Sequence, residues 1–112
     1  MSSLRVRGSY VALMITCPSR EEAERVARAL VEARLAACVN ILPNVRSIYW
    51  WEGKVEEGDE VLLLVKTRLD LVGELARRVR SLHSYEVPEI IALPIVAGSD
   101  DYLRWVDSSL AT

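Results

Sequence analysis

Apolar residues change period along the chain, and the changes mark out its elements. From Tyr10 to Cys17 the run YVALMITC is apolar on both parities and stops at Pro18, as expected of a short strand covered on both faces. Ser19 followed by Glu22 has the spacing of a capping box, and apolar residues then recur at Ala23, Val26, Ala27, Leu30 and Val31, the stripe of an amphipathic helix. Glu21 precedes Arg25 and Glu24 precedes Arg28, so the other face is solvated and supported by i,i+4 pairs. Residues 36–67 predict one long hairpin, with a first arm AACVNILPNVRSIYWW, a turn at Glu52-Gly53 and a second arm from Lys54 to Thr67. Pro43-Asn44 and Gly58-Asp59 interrupt the arms, where bulges are expected. A second helix, opened by Thr67 or Asp70, carries Val72, Leu75, Ala76, Val79 and Leu82; Glu89 to Ala97 (EIIALPIVA) predicts a strand with Pro94 at an edge or bulge. Gly98-Ser99-Asp100-Asp101 then caps a last helix with Tyr102, Leu103, Trp105 and Val106, its acids complementing the helix dipole.

This order, β-α-β-β-α-β plus a terminal helix, is an α+β, ferredoxin-like sandwich in a single domain over residues 1–112, with its core over about residues 10–108. The lengths of the strands do not match. A first strand of about 25 Å stands beside a hairpin arm that would cover about 50 Å at ~3.3 Å per residue. Half of the hairpin must therefore project. Near its tip both parities are apolar, with Val45, Tyr49 and Trp51 on one and Ile48 and Trp50 on the other. An exposed two-sided apolar ribbon needs a cover, and further copies of the chain are the economical one. A homo-oligomer with Tyr49, Trp50 and Trp51 at its contacts is expected.

Composition narrows the function classes. The chain is 51% hydrophobic and 27% charged, with 14 basic and 16 acidic side chains and a net charge of -2. That profile fits a globular protein and lacks the basic excess of a nucleic-acid module. No apolar run approaches the length of a membrane span. The mildly basic start Met1–Arg7 leads into a short apolar stretch without a cleavage site, so a cytoplasmic protein with no membrane partner is expected. One His and two Cys, with Cys17 and Cys38 far apart, exclude zinc-finger and CxxC redox motifs. The turn Cys17-Pro18-Ser19-Arg20 has no glycine and loses an amide to proline, so it is a poor phosphate cradle. It also resembles half of an MTCxxC copper turn, but Arg20 stands where the second thiol would be.

The remaining polar cluster is His83-Ser-Tyr-Glu-Val-Pro-Glu89, between the second helix and the last strand. His83 reads either as a capping residue beside a turn made rigid by Pro88, or as a ligand that binds a divalent cation together with Glu89 or a cysteine. No nucleophile lies in a recognisable motif, so no enzyme is expected.

Several co-linear segments carry a resemblance: Leu35-Ala-Ala-Cys-Val-Asn40, Ser47-Ile-Tyr-Trp-Trp-Glu-Gly-Lys54, Lys66-Thr67, the His83–Glu89 segment and Tyr102-Leu-Arg-Trp-Val106. Together they resemble the CutA family, the divalent-cation tolerance proteins. The resemblance implies a ferredoxin-like subunit in a tight homotrimer, similar in architecture to the PII signalling proteins, whose long hairpins build intersubunit sheets. It implies copper or another divalent cation as ligand, none of it required for folding. A PII-like scaffold acting on a protein partner, with metal incidental, is the alternative. Residue by residue, the proposed copper ligand falls on His83, the closing carboxylate on Glu89 and the A-A-C cysteine on Cys38. Ser84 stands where the family usually has proline. The family's first-strand cysteine corresponds to a position near Ile15, with Cys17 close by as a weaker candidate.

Overall fold

The computed structural model describes residues 4–5 and 9–111; most of the basic start Met1–Arg7 lies outside them. The elements are β1 (Leu4–Arg5), β2 (Tyr10–Cys17), α1 (Arg20–Glu32), β3 (Cys38–Trp51), β4 (Lys54–Arg68), α2 (Val72–Leu82), β5 (Ile90–Pro94), β6 (Gly98–Ser99) and α3 (Asp100–Ser109). Four strands form an antiparallel sheet in the order β3-β4-β2-β5. With α1 and α2 on one face, this is the ferredoxin-like arrangement expected from the element order. A two-residue pairing of β1 with β6 is an addition that no sequence pattern announces.

Alternation along β2 and β4 decides which face is covered. Val11, Leu13, Ile15 and Cys17 of β2 join Val61, Leu63 and Val65 of β4 under Ala23, Val26, Ala27 and Leu30 of α1 and Leu75 and Val79 of α2. The other parity is less uniformly covered. Met14, Leu62 and Leu64 are half-buried, and Leu42, Ile91 and Leu93 are exposed. Around Tyr10 that face is closed by Leu103, Val106 and Leu110 from the last helix and its end, and the Tyr10 hydroxyl donates to Asp107 at 2.6 Å.

Local signals explain most element ends. The Ser19 hydroxyl accepts from the Glu22 amide and caps α1, and Ser99 does the same for α3 through Tyr102. Glu52 and Gly53 both have positive φ, at 50° and 79°, the backbone of a two-residue hairpin turn whose twist matches the strands. The register slips between Leu42 and Val45, and Asn44 takes φ 63° there, which makes the first expected bulge. The second expected bulge is absent. Gly58 and Asp59 stay in register opposite Ser47 and Arg46, where Arg46 pairs with Glu57 and Asp59 at 2.8 and 3.2 Å.

Two further expectations need correction. Neither Thr67 nor Asp70 caps α2: Thr67 is buried in β4, where its hydroxyl donates to Leu35 O at 2.7 Å, and Asp70 binds Arg68 across a short 3-10 turn. The last strand is shorter than Glu89–Ala97, ending at Pro94 on the sheet edge, where proline has no amide to continue a ladder.

The lengths remain mismatched as expected. The molecule measures 52 × 24 × 22 Å because the distal half of the β3–β4 hairpin runs past the end of β2. Trp50 at the tip is 75% exposed and Ile48 67%.

Replacing Thr67 by Val keeps the shape but orphans the buried Leu35 carbonyl, a loss of about 1–3 kcal/mol. Urea unfolding should show that drop for Thr67→Val and a smaller one for Thr67→Ser.

Candidate functional site

Three element ends meet beside the sheet. Strand β5 pairs with β2 only as far as Ile15, so the next carbonyl, Thr16 O, extends past that pairing. Helix α2 ends where the His83 amide donates to Val79 O. The backbone then turns extended, at φ -86° and ψ 139°, and directs the imidazole back to Thr16, with Nε2 2.6 Å from its carbonyl. Glu22, in the first turn of α1, and Cys17, the last residue of β2, complete the cluster. The ligand-capable atoms of Cys17, Glu22 and His83 lie within 4.8 Å of one another, and all three residues are buried.

The hydrogen bonds fix the state of the ring. The Tyr85 amide donates to His83 Nδ1 at 3.0 Å, so Nδ1 carries a lone pair and Nε2 the proton that goes to Thr16 O. Glu22 Oε2 accepts from the Ser84 amide at 3.0 Å and lies 3.4 Å from the same Nδ1. Two acceptors thus face each other in a buried pocket with a sulfur beside them.

Such a cluster has a chemical preference. Burial, followed by the negative charges of Glu22 and Glu60, pushes the Cys17 thiol up to about 12. The thiol is therefore not an activated nucleophile. Burial also works against ionisation of Glu22, but the hydrogen bonds from Ser84 and the nearby Arg25 charge outweigh it and hold the carboxyl below its usual range. A cation held by Nδ1 and Oε2 would sit between two acceptors 3.4 Å apart, taking the place of the Tyr85 amide at Nδ1. The bond from Nε2–H to a backbone carbonyl is the outer contact that orients metal-bound imidazoles. Closing a tetrahedral shell needs ligand atoms about 3.6 Å apart, so the residues fit such an ion after a contraction of roughly an ångström.

The other residues singled out from the sequence lie elsewhere. Glu89 lines an open cleft of about 770 Å³ between the projecting hairpin and residues 85–89, together with Tyr49, Trp51, Glu60, Tyr85 and Glu86. The Tyr85 hydroxyl spans part of it, donating to Glu60 at 2.9 Å. Burial first, and then that bond, raise the Tyr85 phenol. Cys38 is half-buried opposite Lys66, whereas Cys17 is opposite Val61. The two thiols are separated by about 17 Å along the strands and both are free.

Glu22 was not among the sequence candidates, because its position after Ser19 reads as the acidic member of a capping box. Only half of that box forms: Ser19 accepts from the Glu22 amide, while the carboxylate turns inward to Ser84. The signal that could have found it is helical phase. Glu22 lies four residues before Val26, on the buried stripe.

A carboxyl whose value is lowered by folding stabilises the native state above the ordinary carboxylate range and loses that contribution as pH falls through its folded value. The stability of the wild type should therefore decline in acid more steeply than that of Glu22→Gln, read as the slope of unfolding free energy against pH between about 5 and 3.

Comparison with known proteins places this geometry in a family. The profile of the "CutA1 divalent ion tolerance protein" family matches residues 11–109. Protein CutA of Mus musculus is 54% identical over 101 residues, covering 90% of this chain and 57% of its own length, so the chain spans little more than half of that relative. The divalent-cation tolerance protein CutA of Thermus thermophilus is 55% identical over 94 residues, covering 84% of this chain and 91% of its own. A solved structure from that organism superposes with a TM-score of 0.89 at 51% identity, over 91% of this chain and 99% of that one. The structure of an Archaeoglobus fulgidus protein described as a periplasmic divalent cation tolerance protein superposes at 0.88 with 45% identity, over 91% and 99%. That relative's compartment differs from the cytoplasm expected for this chain, in which no helix among the described residues is long and apolar enough to cross a membrane. With the family profile matched over residues 11–109 and relatives above half identity, the chain belongs to the CutA1 divalent ion tolerance family.

Proposed function

We propose that this chain is a non-enzymatic, homotrimeric metal-response protein that binds a divalent transition-metal ion, copper above all, through His83, Glu22 and Cys17. The observation that carries the reading is the pair of facing acceptors, His83 Nδ1 and Glu22 Oε2, 3.4 Å apart in a buried pocket with the Cys17 sulfur nearby. Thiol and imidazole donors favour copper and zinc over calcium and magnesium. Relatives named for divalent-cation tolerance support the same class of ligand. The ion would be bound with loss of the Cys17 proton to solvent, since the thiolate is the ligand. Glu89 and Cys38 enter this reading as ligands contributed across a subunit boundary, because neither lies in the intrachain cluster.

Trimer formation is supported by what the single chain leaves bare. Leu42, Ile91 and Leu93 are exposed on the sheet face away from α1 and α2, and Ile48, Tyr49, Trp50, Trp51 and Val55 on the hairpin. These surfaces exceed what scattered exposed apolar residues explain. Two free cysteines accord with a reducing compartment such as the cytoplasm.

Copper titration by calorimetry should give a His83-dependent site, with His83→Ala and Glu22→Gln each weakening affinity about tenfold or more. Unchanged affinity and stoichiometry in His83→Ala would sink the assignment. Sedimentation equilibrium at micromolar concentration should return three times the mass of one chain, and a monomer would reject the assembly.

A further inference from the structure

The atom that best suits a metal ion is already in use. His83 Nδ1 has one lone pair, and the Tyr85 amide donates to it at 3.0 Å. Nε2 offers no alternative, since it carries the proton held by Thr16 O at 2.6 Å. Glu22 is less constrained, because a carboxylate accepts at several positions and can keep the Ser84 amide while ligating. The conflict therefore falls on a single hydrogen bond, and that bond anchors the first residue of the wall that closes the cleft. Tyr85 starts the 85–89 segment, lines the cleft with Glu86, Val87 and Glu89, and reaches across to Glu60 on β4 at 2.9 Å.

We propose that a metal ion on His83 Nδ1 and the Tyr85 amide bond to that atom are mutually exclusive, so that ion binding releases the 85–89 wall and reshapes the cleft beside the hairpin. This rests on the metal-binding reading above and extends it from a site that holds an ion to one that reports it. Losing its acceptor leaves the Tyr85 N–H unsatisfied unless the segment moves toward water, and most of 85–89 is exposed already. The Ser84 amide bond to Glu22 and the end of α2 are untouched, which places the hinge between Ser84 and Tyr85. Coupling of this kind is reciprocal. Whatever occupies the cleft and holds Tyr85 against Glu60 weakens the metal site by the same factor.

Amide exchange of the assembled protein, with and without saturating Zn²⁺ as the diamagnetic probe, tests this. Binding to a native state ordinarily slows exchange. Here the Tyr85 amide should exchange at least tenfold faster with zinc, while Ile15 and Val79 do not accelerate. Tyr85→Phe removes the Glu60 bond but keeps the amide, so it should bind zinc several-fold more tightly. A Tyr85 amide that stays protected while zinc binds in a His83-dependent manner would overturn the coupling and leave the metal site standing. Failure of the wild type to bind zinc at all would remove both.

Discussion

Strand β2 stops at Cys17, opposite Val61, while β4 extends beyond it from Glu60 to Lys54. Nearly everything specific about this chain follows from that difference in length. Pro18 and the Ser19 cap end the strand and turn the chain into α1, so the sheet loses a strand in its middle while the hairpin runs on. The gap so created is the cleft. Its far wall is the segment that carries the chain from α2 into β5, and its near wall is the hairpin with Tyr49, Trp51 and Glu60. The same overhang strips the hairpin tip of neighbours. The single chain accordingly exposes an apolar ribbon there, with Ile48, Trp50 and Val55 open to solvent.

The end of β2 is also where the buried polar cluster sits, and the two facts are connected. Strand β5 begins opposite Ile15, so β2 carries a carbonyl, Thr16 O, past the last rung of that ladder. A buried carbonyl must be paired, and His83 is the group that does it. Once the imidazole is turned toward Thr16, its other nitrogen lies 3.4 Å from Glu22 in the first turn of α1, with Cys17 at the end of β2 nearby. The constellation therefore arises from pairing the stretch of β2 that β5 leaves bare, with the residue that ends α2 as the partner.

Much of this was legible in the sequence, and the reasons are specific. Pro18 after an apolar run, the Ser19 and Ser99 caps, the Glu52-Gly53 turn and the slip at Pro43-Asn44 are local signals, and each appears where its residues stand. The mismatch of strand lengths was readable as arithmetic. Thr67 misled, because a threonine before an apolar-periodic segment reads as a cap, whereas its hydroxyl answers Leu35, thirty-two residues away. His83 and Cys17 could be named but not joined, since no spacing rule links residues 66 positions apart. Glu22 was hidden by a motif it half fulfils. Sequence patterns report on neighbours within a turn or two of helix, and this site joins the end of α2 to the junction of β2 and α1 across more than sixty residues of chain.

The energetics of the cluster favour a narrow class of occupant. Ionising a thiol raised to about 12 at neutral pH takes on the order of 7 kcal/mol at ~1.4 kcal/mol per unit. Alkali ions and the hard alkaline-earth ions gain little from a thiolate and cannot offset that. Zinc bound through cysteine and histidine releases about 10–16 kcal/mol in small structural sites, and copper ranks above zinc in the general order of affinities. The same burial that makes Cys17 inert as a nucleophile thus acts as a filter. On the proposed reading, an ion entering the cluster would have to bind sulfur strongly enough to displace its proton, and at His83 it would contest the amide that holds the cleft wall in place.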